Sequence, residues 1–391
     1  MRPLEAATRE RLIAALVDDA PFAAALRAEA ERVGLSSSGW MRGAAQLSGR
    51  SASLAQVVWA HAADSRVQAV AHVLAEPRQR GWLRMTTLCD DPLLPGVGRL
   101  LAATPNVEVV RYRPGKRCTL RMRNEAGALI YAKVVRENGN RLDRIQHEAF
   151  ATWRAGHLPF RVARPLAFLP GDGVSWHQGL PGVRVLPLLL SANGAGLARQ
   201  IGAALSELHA SPMTCAAQFG TSEQLERSAR IVRSIALLAP PLAHDAEELL
   251  ASLAGAPAAQ RERRAPAHGS PHAEQWLVDA DELALVDFDR AALAAPELDL
   301  ATFLAELAYE EAPTVNEISS AFLEGYQARA PLDRRVLALY LAHKHLAKAE
   351  RAARSLRHDG IERAAGCLSR ARALVDSRHS PRCSRDLRSR A

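Results

Sequence analysis

Two aspartates one residue apart, Asp287 and Asp289, follow the apolar run Leu283 to Val286. Carboxylates spaced in this way can hold a hard cation, and Mg2+ is usually bound by one or two protein carboxylates together with phosphate oxygens. Just upstream, His268-Gly269-Ser270-Pro271-His272-Ala273-Glu274-Gln275 forms a polar loop that leads into the apolar stretch Trp276 to Val278. Loop and aspartates thus flank one short hairpin, and several hydrogen-bonding groups share its rim. Taken alone, an Asp-x-Asp after a strand reads equally well as an Asx turn with no ligand.

A second chemical signal lies far upstream. Lys133 sits in the middle of the apolar run Leu129 to Val135, where an ammonium is costly unless it finds a partner. Fifteen residues on, Glu148 falls in a stretch with helical apolar spacing at Ala149, Phe150 and Trp153. A strand lysine paired to a helix glutamate holds the α- and β-phosphates of ATP in kinases, whereas Lys133 by itself is equally a sheet-edge lysine. Lysine occurs only at Lys116, Lys133, Lys344 and Lys348, in a chain that otherwise uses arginine.

The elements that must position these groups follow from the pattern. Val107 to Arg113, Cys118 to Arg123 and Leu129 to Val135 are runs of β-formers separated by Pro114-Gly115 and Asn124-Glu125-Ala126-Gly127, which predicts an antiparallel meander. A helix over 143–155, short strands over 165–169 and 174–179, and an amphipathic helix over 195–210 come next. Helical periodicity continues to about Leu253, breaks at Gly255 to Pro266, gives the hairpin around Trp276 and Leu283, and resumes from Leu298 to about Val375. Residues 1 to about 80, rich in Ala, Leu, Arg and Glu, repeat apolar positions at helical spacing over Glu10 to Val33 and Ser53 to Glu76, so the leading region is expected to be all helical.

Taken together, residues 105 to 350 resemble the aminoglycoside phosphotransferase and choline-kinase-like family of small-molecule kinases. That family's catalytic loop reads His-Gly-Asp-x-His-x-x-Asn, followed by a strand, an Asp-Phe-Gly-like metal motif and Asp-Pro-x-x-Asp-Leu. Here the corresponding segments are His268 to Gln275, Asp287-Phe288-Asp289 and Ala295-Pro296-Glu297-Leu298-Asp299-Leu300, and Leu205-Ser206-Glu207-Leu208-His209-Ala210 is similar to a Leu-x-x-Leu-His signature. The resemblance implies an α+β, bilobal protein-kinase-like fold, with an antiparallel-sheet N-lobe and a helical C-lobe after the helical leader. It also implies ATP and Mg2+ as cofactors and a small-molecule hydroxyl as acceptor. Lys133 would contact the phosphates, Glu148 would position Lys133, and Asp287 would ligate Mg2+ with Gln275 and Asp289. Val107 to Cys118 would cover the phosphates, with Lys116 and Arg117 at the tip of that loop adding contacts in place of glycines. Trp176 to Gly182 would cradle adenine, and Asp299 would brace the catalytic loop.

Two positions depart from the family. Its catalytic Asp is Ser270 here, and a serine hydroxyl is no carboxylate base at neutral pH, a loss of about 10²- to 10⁴-fold in general-base catalysis. Its Asn is Gln275, one methylene longer with the same carbonyl acceptor. His268, Ser270, His272 and Gln275 are the loop's candidate catalytic residues, with His272, Glu274 or Asp289 as substitute bases. The expected activity is transfer of the γ-phosphate of ATP to a hydroxyl of a sugar, amino sugar or amino alcohol through an atypical loop. The alternative is a pseudokinase that binds nucleotide or a protein partner without transfer.

Composition bounds these readings. The chain has 391 residues, 48% hydrophobic and 24% charged, a length suited to about two domains. The expected divisions are 1–88, 89–185, 186–376 and a basic tail over 377–391, with Asp90 to Gly96 as linker. No apolar run approaches the ~20 residues of a membrane span, so no membrane partner is expected, and the five scattered cysteines make neither a zinc site nor a disulfide framework. The expected location is the cytoplasm. The net charge of +8 is spread through helices that also carry acids, which argues against nucleic acid and, weakly, for a neutral or anionic acceptor. Glu306, Glu310, Glu311 and Glu317 nonetheless form either an acidic acceptor lining or a solvated helix face. Oligomeric state is not legible.

Overall fold

The structure, a computed structural model, describes residues 40–47, 50–60, 68–76, 79–87, 91–104, 107–113, 115–255, 263–354 and 359–379. The first of these correct an expectation. Strands β1 (Trp40–Leu47), β2 (Arg50–Ala60), β3 (Gln68–Glu76) and β4 (Gln79–Thr87) form a four-stranded antiparallel meander where helix was expected. Its registers run from Trp40↔Val57 through Ser53↔Ala75 to Leu74↔Trp82. Val57-Val58-Trp59 and the spaced Val70 and Val73 are β-branched or aromatic, and their preference for pleated pairing outweighs the apolar spacing read as helical. Glu10 to Val33 lies outside the described residues.

The sheet that carries the site comes next. Helix α1 (Pro95–Ala103) precedes β5 (Glu108–Arg113), β6 (Arg117–Arg123) and β7 (Leu129–Val135), then come α2 (Gly139–Arg154), β8 (Arg161–Val162), β9 (Pro165–Leu169) and β10 (Val174–Gln178). The sheet order is β5-β6-β7-β10-β9, antiparallel throughout. Alternation divides its faces. Cys118, Leu120, Ala132, Val134 and Val174 pack with Leu94 and Val97 into one core, while Arg117, Thr119, Tyr131, Lys133 and His177 turn to the other face. The segment read as a linker is part of this lobe. Buried Asp91 accepts hydrogen bonds from the Tyr112 hydroxyl and the Gly115 N–H, each at 2.7 Å, and so pins the β5–β6 turn.

The remainder is helical with small sheets inserted. It comprises β11 (Val183–Arg184), α3 (Val185–Leu189), α4 (Gly194–Ala210), β12 (Gln218–Phe219), α5 (Thr221–Leu238), α6 (Ala243–Ala254), β13 (Ala265–Ala267), β14 (Trp276–Asp279), β15 (Glu282–Leu285), β16 (Ala292–Ala294), α7 (Pro296–Glu310), α8 (Val315–Gln327), α9 (Arg334–Arg354) and α10 (Gly360–His379). Helix α10 thus runs three residues into the segment read as a tail. One core gathers Leu205, Trp276, Phe303, Phe322 and Tyr340 around α4, α7 and the β14–β15 hairpin. Helices α4 and α8 approach so closely that a Cβ on Gly202 would lie 2.0 Å from the Phe322 carbonyl oxygen. A second core joins α5, α6, α9 and α10 through Ile235, Leu249, Leu346, Cys367 and Ala371. The hairpin sits between the sheet and this helical body, which brings the polar loop and the aspartates opposite Lys133.

Candidate active site

Lys133 projects from the middle of β7, opposite Thr119 on β6 and Ser175 on β10. Its Nζ donates to Asp287 Oδ1 and to Asp289 Oδ1, each at 2.6 Å. Burial alone would lower the lysine's pKa, but the two carboxylates outweigh it and hold it above its ordinary value. The same partners act on the acids. Burial pushes Asp287 up, yet Lys133 and then Arg117 overcome that and keep it well below the usual carboxylate range, while burial and the neighbouring Asp287 leave Asp289 raised.

Asp287 stands at φ +71°, ψ +55°, the left-handed region, which costs a non-glycine residue about 1–2 kcal/mol. The turn aims its carboxylate at Lys133 and at Gln275, whose Nε2 donates to Asp287 Oδ2 at 3.1 Å. The Asx-turn reading of Asp-x-Asp is thereby displaced: both acids point across the cleft to another lobe. Arg117 donates to Asp289 Oδ2 at 3.3 Å, and Arg141 to the Asp289 carbonyl at 2.9 Å.

The polar loop is held from behind. Asp299, fully buried, accepts from the His268 N–H and the Gly269 N–H at 2.7 Å each, and His209 Nε2 lies 3.2 Å from the same carboxylate. Asp299 therefore braces the loop as expected. Gly269 needs φ +78°, and a Cβ there would meet the Arg290 carbonyl oxygen at 2.3 Å. His268 is wholly buried and corrects its expected catalytic role. Its Nδ1 accepts from the Ser270 N–H at 3.3 Å and its Nε2 donates to the Val286 carbonyl at 3.1 Å, so it ties the loop to the hairpin and is absent from the cavity lining.

Ser270, His272, Glu274 and Gln275 line one cavity of about 1100 Å³ with Lys133, Asp287 and Asp289. The segment expected to cradle adenine contributes His177, Gln178 and Leu180. None of the expected substitute bases is a free carboxylate or a strong base. Burial lowers His272 to about 4, which leaves it neutral and weakly basic at neutral pH. Glu274 is paired with Arg184 at 2.7 Å, and Asp289 with Lys133 and Arg117.

Other expectations are corrected. Glu148 does not meet Lys133; its Oε1 accepts from the Thr214 N–H at 2.9 Å. Successive helix residues turn about 100°, so Glu148 points roughly 160° away from Gln146, the α2 residue that does line the cavity. Lys116 is exposed in the turn and outside the cavity, while Arg117, one residue into β6, faces inward. Of the four acids expected to line an acceptor site, Glu306 and Glu310 do line the cavity, with Glu306 tied to Lys348 and to Arg351; Glu311 pairs with Arg370 and Glu317 is exposed, both outside the cavity.

The lining includes residues the sequence did not single out. Arg111 and Arg113 on β5 flank Arg117, and Arg227 on α5, Arg290 after Asp289, and several cations of α9 stand opposite. The available signals were alternation for the β5 arginines and, on α9, the rarity of lysine.

A sheet lobe and a helical lobe with lysine, aspartates and polar loop meeting in the cleft define the protein-kinase-like class. Within it, the chain belongs to the phosphotransferase enzyme family, whose sequence profile matches residues 135–340. Solved structures share the fold at low identity. A choline/ethanolamine kinase family protein from Mesorhizobium loti superposes with TM-score 0.52 at 19% identity, covering 75% of this chain and 97% of its own. The choline kinase LicA from Streptococcus pneumoniae gives 0.50 at 13%, covering 72% and 97%. The amicoumacin kinase hAmiN, solved with AMP-PNP, Ca2+ and amicoumacin, gives 0.51 at 14%, covering 70% and 89%. No curated protein matches the chain. Among the described residues no helix is long and apolar enough to cross a membrane.

Proposed function

We propose that this protein transfers the γ-phosphate of ATP to a hydroxyl of a small molecule. The observation that carries this reading is the ammonium of Lys133 lying 2.6 Å from both Asp287 and Asp289 across the cleft. Two carboxylates converging on one cationic point, with the Gln275 side chain beside Asp287, fit a hard cation. Asp287, Asp289 and the Gln275 amide oxygen would hold Mg2+, which supplies charge neutralisation at the phosphates when bound. Lys133 and Arg117 would then turn to phosphate oxygens, with Arg111 and Arg113 covering them in place of a glycine-rich loop. Trp176 to Gly182 would receive the adenine. In the transfer, the acceptor oxygen forms a bond to the γ-phosphorus, the bridging oxygen leaves with ADP, and the hydroxyl proton passes to water.

Ser270 makes that last step slow. It stands where the family has a carboxylate, and the nearby His272, Glu274 and Asp289 are neutral or already paired. Because phosphoryl transfer depends chiefly on positioning and charge, the cleft retains most of what the reaction needs. The same serine favours the second reading, a nucleotide-binding pseudokinase. Ser270→Asp separates them. Transfer from labelled ATP to a panel of hydroxyl compounds should rise about 10²-fold or more in this variant. An inert Ser270→Asp protein that still binds nucleotide would favour the pseudokinase.

A further inference from the structure

The cavity is lined by twelve Lys and Arg side chains against six Asp and Glu. Five of the six acids are already neutralised within it: Asp287 and Asp289 by Lys133, Glu306 by Lys348 and Arg351, Glu274 by Arg184, and Glu350 by Arg354 at 3.5 Å. A metal-bound nucleotide on Lys133 and the β5–β6 arginines would offset only part of the surplus. The rest lies on the helical side of the cleft, where Arg227, Arg290 and Lys344 line the cavity and, among the described residues, their side chains make no ion pair or hydrogen bond. Other cations there are satisfied differently: Lys348, Arg351 and Arg363 gather on the Tyr309 ring at 5.5, 4.9 and 4.5 Å.

Lys344 is the most telling of the three. It is buried, 8% exposed, on α9, and burial followed by the charges of Arg227 and Arg290 holds its pKa well below the ordinary value. Asp299 is the nearby acid, and its oxygens are engaged by His268, Gly269 and His209. A buried lysine with no partner among the described residues, flanked by two arginines, is costly to charge unless a ligand supplies the counter-charge.

Resting on the phosphotransferase reading, we infer that the acceptor carries an anionic group, a phosphate or a carboxylate, and that Arg227, Arg290 and Lys344 bind it in the cavity lined by Ser270. Arginine forks suit a tetrahedral or planar oxyanion, and the lysine adds a point charge. The cleft is correspondingly hostile to a cationic acceptor.

The test is titration calorimetry of inorganic phosphate into the full chain, both saturated with AMP-PNP and Mg2+ and free of nucleotide. Phosphate should bind in both cases, about tenfold or more weaker in Lys344→Met and in Arg227→Met, with affinity largely restored in Lys344→Arg. Glycerol 3-phosphate and glycerate, titrated in parallel, tell a phosphate-bearing from a carboxylate-bearing acceptor. Equal phosphate affinity in wild type and both Met variants, or choline binding more tightly than phosphate, would overturn the inference. Failure of AMP-PNP to bind strikes the phosphotransferase reading alone, since the dependence on Lys344 and Arg227 is still read without nucleotide.

Discussion

Two buried lysines face each other's half of the cleft in opposite electrostatic states. Lys133, 15% exposed at its side chain, has two carboxylates at 2.6 Å and is held charged above its ordinary pKa. Lys344, 8% exposed, has none among the described residues, and burial depresses its pKa. The first carries its counter-charge within the protein. The second has no ion pair among the described residues, and on the inference above a ligand provides its counter-charge. A buried charge is thus better read by its partner than by its burial.

Removing the two lysines should therefore move stability in opposite directions. Lys133→Met leaves Asp287 without its ion-pair partner and Asp289 with Arg117 alone, and should destabilise the chain by about 3–5 kcal/mol in a denaturant titration. A loss below 1 kcal/mol would mean that the carboxylates do not depend on Lys133.

A smaller effect comes from His272, whose native pKa of about 4 lies below its unfolded value near 6.5. The native state therefore binds fewer protons, and the contribution is fully present above pH 6.5 and lost as the pH falls toward 4. At pH 5 this amounts to about 2 kcal/mol, so His272→Asn should flatten the fall in melting temperature between pH 7 and pH 5. An unchanged slope would remove His272 from the buried neutral groups of the cleft.

The smallest effect has the opposite sign. Lys344→Met exchanges a buried amine, without a partner among the described residues, for an apolar side chain of similar length and should raise stability by about 1 kcal/mol in the ligand-free protein. A destabilisation of that size would show that Lys344 has a structural partner.

What could be read from the sequence follows the same division. Lys133, Gln275 and Asp287, which meet in one cavity, could be picked out because each lies in a short local pattern, and the strands β5 to β7 carry their own turns. Glu148 misled because spacing from Lys133 does not fix helix phase; Gln146 faces the cavity and Glu148 the Thr214 backbone. Lys116 and Arg117 are neighbours in sequence, and one step of strand alternation sends only the second inward. His268 reads as catalytic in its motif but is used to tie the loop to the hairpin. The basic half of the acceptor side was hidden because Arg227 and Lys344 belong to helices far apart in the chain that meet only through the packing of α5 against α9. In the leading region, apolar spacing compatible with two periods was resolved by long-range strand pairing.

The most direct test of the central claim is calorimetric titration of ATP, with and without Mg2+, into the wild-type chain, Lys133→Ala and Asp287→Ala. Phosphotransferase chemistry at this cleft predicts binding that requires the metal and is weakened about 100-fold or more in both variants. Absence of binding at millimolar ATP, or metal-independent binding retained in both variants, would contradict it.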